Sequence, residues 1–268
     1  MFYNAKNCKI EIEDTVAEYI CFGKGKKNLI IIPGVGDGFK TVKGLAIPFA
    51  MMYKCFSKDY KVYVFSRRNN IPKEFSTENM ANDIIDHMEK LGIDKTDIVG
   101  VSQGGMIAQY IAINAPEKVN KLVLAVTLAR TNEILETTVN NWIKQAQNKD
   151  YKGIMKDTAE KSYTGKYLEK NRKLYKILGV LGKNATFERF IIEANACLTH
   201  NTYNQLDKIK CDTLIIGAKK DKAVGVIGSE ELASKIKNSK LYIYEEYSHG
   251  VYEQAKDFNT KVLEFLDS

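Results

Sequence analysis

The sequence of 268 residues predicts an α/β protein whose central sheet is mostly parallel, with helices on both faces. Residues 9–13 and 16–22 alternate apolar and polar side chains, which is the period of half-exposed strands. Residues 28–32 form a continuous apolar run, as expected of a strand buried on both faces. Beyond this run, strands alternate with helical segments, which favours a parallel sheet. We therefore expect about eight strands, with the antiparallel ones near the N-terminus.

The remaining elements follow in order along the chain. Apolar runs and helical periodicity predict strands at residues 61–65, 96–99, 121–126, 213–217 and 241–244, and helices at residues 45–56, 76–91, 106–112, 229–237 and 258–266. Ser76 or Thr77 is expected to cap the second helix. Pro48 is expected to interrupt the first helix early, and residues 66–70 are expected to leave the fourth strand as a polar loop.

The alternation stops after the sixth strand. Residues 130–207 contain no convincing strand, and their large apolar and aromatic residues recur at helical spacing: Trp142, Tyr151, Tyr163, Tyr167, Leu168, Tyr175, Leu178, Phe187, Phe190 and Ile191. We predict a helical cap at residues 130–207, inserted into a core domain formed by residues 1–129 and 208–268. The alternative is a set of helices that only cover one face of the sheet.

Composition excludes several classes of protein. Hydrophobic residues make up 44% and charged residues 27%, which is typical of a soluble globular chain. The N-terminus lacks the pattern of a signal peptide and no apolar run approaches the roughly 18 residues that span a bilayer, so we expect a cytoplasmic protein with no membrane partner. The net charge of +7 is spread along the chain and interleaved with acidic residues, so no nucleic-acid partner is expected.

The five cysteines are scattered, with no C-x-x-C pair. An odd number without a signal peptide indicates reduced thiols and not a disulfide framework or a zinc site.

The sequence Gly100-Val101-Ser102-Gln103-Gly104 carries the chemistry of the chain. It lies between a predicted strand and a predicted helix. G-x-S-x-G in that context is a nucleophile elbow, in which the serine occupies a strained backbone conformation. The glycines on either side must lack a Cβ for the chain to pass. The alternative is a glycine-rich turn whose serine has no function.

A serine nucleophile needs a general base, and the chain offers three histidines. His87 lies in the middle of a predicted helix and His200 lies in the predicted cap. His249 follows the last strand in a loop between the small residues Ser248 and Gly250, so we predict His249 as the base.

The base needs an anion to orient its ring. Asp221 follows the preceding strand and is predicted to stand beside His249, whereas Asp207 and Asp212 lie before that strand, at the wrong end. A turn aspartate without a catalytic role is the alternative for Asp221.

The oxyanion of an acyl-transfer intermediate needs backbone N–H donors. Gln103 begins the elbow helix, and Val35 lies in the glycine-rich turn of residues 33–38 that follows a buried strand. We predict the N–H groups of Val35 and Gln103 as the two donors, and we expect their side chains to matter less than their backbone positions. The turn lacks the G-x-x-x-x-G-K-[ST] pattern of a phosphate-binding loop.

These motifs together resemble the α/β-hydrolase superfamily along the whole chain, and most closely its cap-bearing, esterase-like members. The resemblance covers residues 91–105 around the elbow, residues 248–250 around the histidine, and residues 218–224 around the acid, with Ala218 where glycine is usual. The sequence departs from the family pattern at Pro33, where histidine is frequent, and beside the nucleophile, where Val101 and Gln103 replace frequent histidine and methionine.

The resemblance implies an α/β-hydrolase fold and hydrolysis through an acyl-serine intermediate, with no metal and no cofactor. It implies that Ser102, Asp221 and His249 are the catalytic triad and that the substrate is a small carboxylic ester. Lactone, thioester, C–C bond and aminopeptidase activities of the same fold remain alternatives, as does a non-catalytic ligand-binding or signalling role. The oligomeric state is left open.

Overall fold

The computed structural model describes residues 3–13, 15–170, 172 and 187–268. The predicted cap residues Tyr175 and Leu178 lie outside the described residues.

The described strands form one sheet of eight strands in the order β1-β2-β4-β3-β5-β6-β7-β8. The β1–β2 and β2–β4 pairs are antiparallel and the other pairs are parallel, which confirms the predicted sheet. The strands are β1 Lys6–Ile12, β2 Thr15–Phe22, β3 Lys27–Ile32, β4 Tyr60–Arg68, β5 Thr96–Val101, β6 Val119–Ala125, β7 Asp212–Ala218 and β8 Ser239–Tyr244. All residues of β5 are buried, as expected of a strand covered on both faces.

Helices cover both faces of the sheet. One apolar core cluster includes Phe22, Phe56 and Phe258, and a second on the other face includes Phe65, Met80 and Ile107. The helices are α1 Ala46–Met52, α2 Thr77–Lys90, α3 Gln103–Asn114, α4 Glu133–Gln147, α5 Tyr151–Ser162, α6 Phe187–Leu198, α7 Ile227–Lys235, α8 Val251–Gln254 and α9 Phe258–Asp267. None of the described helices is long and apolar enough to cross a membrane.

Ser76, one of the two predicted candidates, is the N-cap of α2. Its hydroxyl accepts a hydrogen bond from the Asn79 N–H at 3.1 Å, and the Asn79 side chain accepts one from the Ser76 N–H at 3.0 Å. This reciprocal pair satisfies two N–H groups that the first turn leaves without a partner.

The expected interruption at Pro48 is wrong. Pro48 is the third residue of α1, inside the first turn, where a missing N–H removes no intrahelical hydrogen bond. The helix ends instead at Met52 and is followed by a separate 3-10 turn, Lys54–Ser57.

The expected polar loop at residues 66–70 is also wrong in its first half. β4 continues through Arg68, and Ser66, Arg67 and Arg68 are all buried. Arg68 donates to both carboxylate oxygens of Asp83 at 2.8 and 2.5 Å, so its charge is matched inside the protein. Because such partners come from distant segments, the polar letters of 66–68 resemble a loop when read alone.

The helices between β6 and β7 pack on the carboxyl ends of the strands. Leu135, Val139, Trp142 and Phe190 of this segment form a cluster with Met106 of α3. A Cβ placed on Gly38, in the turn after β3, would lie 2.7 Å from the Cα of Phe190, so the backbone of α6 passes directly over that turn. These helices therefore lie over the edge of the sheet where parallel α/β proteins bind ligands.

Candidate active site

Ser102 lies at the sharp turn between β5 and α3. Its φ of 54° and ψ of −121° are strained for a residue with a side chain. A Cβ on Gly100 would lie 2.5 Å from the carbonyl oxygen of Gly104, and a Cβ on Gly104 would lie 2.0 Å from that of Ile32. The two glycines thus allow the tight turn that exposes the serine at the sheet edge.

The structure places the three predicted triad side chains in one hydrogen-bonded chain. His249 Nε2 lies 3.0 Å from Ser102 Oγ, and His249 Nδ1 lies 2.9 Å from Asp221 Oδ2. An ionised carboxylate only accepts hydrogen bonds, so this partner places the imidazole proton on Nδ1 and leaves Nε2 free to accept the serine proton. The arrangement can therefore activate Ser102 as a nucleophile.

Asp221 is buried and surrounded by groups that favour its charged form. Burial alone would raise its pKa, but His249 and the N–H groups of Ala223 and Val224 outweigh burial and hold the pKa below its ordinary value. The two N–H groups donate to Oδ1 at 2.8 and 3.0 Å, while Oδ2 faces the histidine. Asp221 is thus fixed as an anion beside the imidazole.

The loop that carries His249 is attached on two sides by Ser248, a contact that sequence reasoning missed. The buried Ser248 hydroxyl lies 2.7 Å from the carbonyl oxygen of Lys220, in the loop of Asp221, and 2.5 Å from that of Lys161, in α5. This contact fixes the distance between the histidine loop and the acid loop.

The two predicted oxyanion donors each begin a helical turn. Val35 is the first residue of the 3-10 turn Val35–Gly38, and Gln103 is the first residue of α3. First-turn N–H groups have no intrahelical acceptor, and the helix dipole makes them favourable partners for an anion. A Cβ on Gly34 would lie 3.4 Å from Ser102 Cβ, so the Val35 turn lies against Ser102.

The other two histidines are buried away from the triad. His87 of α2 stacks on Phe65, with ring centroids 5.0 Å apart, and burial lowers its pKa to about 3. His200 Nδ1 lies 2.9 Å from the Thr77 hydroxyl, and burial likewise lowers its pKa to about 3. Both are neutral packing residues in this structure.

The two alternative aspartates lie before the carboxyl edge of the sheet. Asp212 is the first residue of β7, and Asp207 lies in the 3-10 turn Tyr203–Lys208 that precedes it. Neither can reach His249 at the opposite end of the strand.

The side chain of Gln103 has a structural role that sequence reasoning missed. Gln103 is fully buried, accepts a hydrogen bond from Arg67 Nη2 at 2.9 Å, and donates to the backbone carbonyl of Glu193 at 2.5 Å. The side chain, which was expected to matter less than the backbone position, therefore joins α3 to β4 and to α6. The acidic Glu193, between the apolar residues Ile192 and Ala194 of α6, was the available signal.

A cavity of about 240 Å³ opens close to Ser102. It begins at Gly34 and Val101, next to Ser102, and runs along α1. Its walls are mostly apolar, and the charged residues in its lining are Asp37, Lys40 and Glu253. The volume is below the roughly 300–1,000 Å³ of sites for drug-sized ligands. The apolar walls include Val42, Leu45, Phe49, Met52, Tyr53 and Tyr252.

Comparison with known proteins agrees with this architecture. The family model described as alpha/beta hydrolase fold matches residues 27–164, and the model described as TAP-like protein matches residues 192–268. The solved structure of MGS-M2, an alpha/beta hydrolase enzyme from a Medee basin deep-sea metagenome library, superposes with a TM-score of 0.85 at 20% identity and covers 97% of this chain and 98% of that one.

Two curated relatives are similar in sequence. Serine hydrolase BPHL of Mus musculus is 25% identical over 97% of this chain and 86% of that protein. The 3-oxoadipate enol-lactonase 2 of Acinetobacter baylyi is 24% identical over 70% of this chain and 70% of that protein.

Proposed function

Because the chain belongs to the alpha/beta hydrolase fold family, we propose that it is a serine hydrolase that cleaves a small carboxylic ester. The observation that carries this proposal is the hydrogen-bonded chain from Ser102 through His249 to Asp221. The nucleophile, base and orienting anion occur in the order serine, aspartate, histidine along the sequence, which is the order of this fold.

In the acylation step, Ser102 Oγ attacks the ester carbonyl carbon as its proton moves to His249 Nε2. The imidazolium that forms is stabilised by Asp221 at 2.9 Å. The carbonyl oxygen becomes an oxyanion, and in this proposal the N–H groups of Val35 and Gln103 donate hydrogen bonds to it. The carbon–oxygen bond of the leaving group then breaks, and His249 gives its proton to the departing alcohol.

In the deacylation step, water takes the place of the alcohol. His249 removes a proton from water, the resulting hydroxide attacks the acyl carbon, and the second tetrahedral intermediate uses the same two N–H donors. The proton on His249 returns to Ser102 Oγ as the acid leaves. Every proton is carried by His249, so this mechanism requires no cofactor.

The cavity supports a small substrate with an apolar substituent. It begins at residues that flank Ser102, and its lining of Val42, Leu45, Phe49 and Tyr53 favours a hydrocarbon chain or ring. A lactone is a second candidate, because a lactone is an internal ester and a relative of this chain is a 3-oxoadipate enol-lactonase.

Hydrolysis of a matched substrate panel tests the proposal. Short-chain and long-chain p-nitrophenyl esters, a thioester and a set of lactones are compared with the wild type, Ser102→Ala and His249→Ala. Ser234→Ala serves as the matched control, because Ser234 is exposed on α7, outside the triad. We expect turnover of short esters that both triad variants abolish and the control retains. A folded wild type that hydrolyses none of the panel would refute the proposal and favour a ligand-binding role.

A further inference from the structure

Four charged side chains are buried together behind the nucleophile: Asp37, Arg67, Arg189 and Glu193, here called the buried charge cluster. Asp37, Arg67 and Glu193 are 5%, 4% and 0% exposed, and the Arg189 side chain is 10% exposed. Two cations face two anions, so the cluster is formally neutral when both carboxyls are ionised. Charges this deeply buried are stable only when paired, and the mechanism described above uses none of them.

Arg189 of the cap helix α6 contacts the turn that contains Val35. Its Nη2 donates to Asp37 Oδ2 at 2.8 Å, and its Nη1 donates to the backbone carbonyl of Asp37. Its Nη2 also lies 3.1 Å from the backbone carbonyl of Arg67, at the end of β4. One guanidinium from the cap thus binds both the backbone and the side chain of the 3-10 turn Val35–Gly38.

Glu193, one turn further along α6, fixes the arginines from the other side. Its Oε1 lies 3.2 Å from Arg189 Nη2 and its Oε2 lies 3.9 Å from Arg67 Nε. Among the described residues its two carboxyl oxygens have no hydrogen-bond partner. Burial raises the pKa of Glu193 to about 8, and Asp37 adds to that rise, while Arg67 and Arg189 oppose it.

The same cluster reaches the second oxyanion donor. Arg67 Nη2 donates to the carbonyl of Pro33 at 2.7 Å and to Gln103 Oε1 at 2.9 Å. Pro33 precedes the Val35 turn, and Gln103 supplies the other N–H. Both segments that carry an oxyanion donor are therefore tied through Arg67 and Arg189 to one helix of the cap.

We propose that Arg189 is a positioning residue for hydrolysis, which fixes the oxyanion-binding turn against the cap helix through Asp37. This inference rests on the proposed function. Arg189 touches neither substrate nor reacting atoms, and it acts by keeping the Val35 N–H where the developing oxyanion forms. Errors of about 1 Å in such donors cost up to about 10²-fold in rate.

The test compares Arg189→Met with Arg172→Met. Arg172 is a cap arginine that pairs with Glu160 at 2.9 Å on the surface, so its loss removes an ion pair without touching the turn. Two affinities are measured for each protein. An alkylboronic acid, which becomes tetrahedral on Ser102 and needs the oxyanion donors, is compared with the carboxylic acid product, which stays planar.

We expect Arg189→Met to lower kcat on a short p-nitrophenyl ester about 10- to 100-fold, with KM changed less than about twofold. Affinity for the boronic acid should fall in the same proportion, while affinity for the product acid stays within about twofold. Arg172→Met should match the wild type. A merely structural arginine would lower the melting temperature and leave the ratio of the two affinities unchanged.

Arg189→Lys and Glu193→Gln provide a second route if Arg189→Met does not fold. The lysine variant should retain part of the boronic acid affinity, because its single ammonium group can replace only some of the hydrogen bonds of the arginine guanidinium. An Arg189 variant with unchanged kcat and unchanged boronic acid affinity overturns this inference alone. A wild type that neither hydrolyses esters nor binds the boronic acid overturns the proposed function, and this inference falls with it.

Discussion

Two aspartates are buried at opposite edges of the same sheet, and only one of them lies at the candidate site. Asp221 follows β7 at the carboxyl edge, and Asp97 lies near the start of β5 at the amino edge. Asp97 is 3% exposed and Asp221 is 7% exposed, so burial does not distinguish them. Their pKa values nevertheless move in opposite directions, up for Asp97 and down for Asp221.

The difference comes from the partners. Asp97 accepts hydrogen bonds from the Tyr60 hydroxyl at 3.0 Å, from the Asn120 amide at 2.7 Å and from the Lys121 N–H at 3.1 Å. Burial raises the pKa of Asp97 more than these hydrogen bonds lower it. Asp221 faces an imidazole that becomes cationic during the proposed reaction. The carboxyl of Asp97 thus joins segments of the fold through uncharged hydrogen-bond donors, whereas that of Asp221 faces a group that can titrate.

The largest expected effect is the loss of kcat when Asp221 is substituted. Asp221→Asn keeps the size of the side chain but removes the anion that sets the imidazole tautomer, so kcat on a short ester should fall by about 10⁴. The melting temperature, measured alongside by circular dichroism, identifies any unfolding. A variant that keeps a tenth of the wild-type kcat would show that Asp221 is a turn residue only.

The same substitution at the other edge should affect stability and not rate. Asp97→Asn disturbs the bonds to Tyr60, Asn120 and Lys121, so the free energy of unfolding in urea should fall by about 1–3 kcal/mol. Its kcat should stay within about twofold of wild type at a temperature well below melting. A loss of kcat comparable to that of Asp221→Asn would remove the distinction between the two edges.

A substitution distant from both aspartates gives a baseline for stability. Ser76→Ala removes the N-cap hydroxyl of α2 and should lower the free energy of unfolding by about 1 kcal/mol, with kcat unchanged. Urea titration measures the loss. A larger effect than that of Asp97→Asn would mean that the polar cluster around Asp97 adds little to stability.

The smallest expected effect is on how steeply the free energy of unfolding changes with pH. Asp221 has a folded pKa below its ordinary value of 3.8, so its stabilisation is present above that value and is lost as the pH falls through the folded pKa. Asp97 has a raised pKa, so folding becomes less favourable as the pH rises from its ordinary value towards the folded one.

Urea titrations between about pH 3 and 6 measure both slopes. Asp221→Asn should reduce the loss of unfolding free energy on acidification, and Asp97→Asn should increase it. Changes of the same sign in both variants would contradict the opposite pKa shifts.

Most of the fold was predictable because its signals are local. A strand is predicted by the apolar run of residues 28–32, and another by the alternation of residues 16–22. Ser76 likewise predicts the start of the helix that follows it. The end of β4 was not predictable in this way. Arg68 is buried there because Asp83 of α2 meets it, and no pattern around residue 68 shows that partner.

Local sequence patterns likewise predict one part of the candidate site and not the other. Ser102, Asp221 and His249 each follow a strand in a recognisable loop, and the structure brings them within hydrogen-bond distance. Their catalytic roles stay a prediction, as do the oxyanion roles of Val35 and Gln103 and the cap boundaries at residues 130–207. The buried charge cluster could not be predicted, since its members come from the turn after β3, the end of β4 and α6, and each pairs across more than one element.

The rate of fluorophosphonate labelling in wild type, Asp221→Asn and Asp97→Asn, with the labelled peptide mapped by mass spectrometry, is the most direct test that Ser102 is activated through His249 and Asp221. We expect a single label on Ser102, at a rate that falls by several orders of magnitude in Asp221→Asn and stays within about twofold in Asp97→Asn. A label on another residue, or equal rates in the two variants, would contradict the assignment of Ser102, His249 and Asp221 as one catalytic unit.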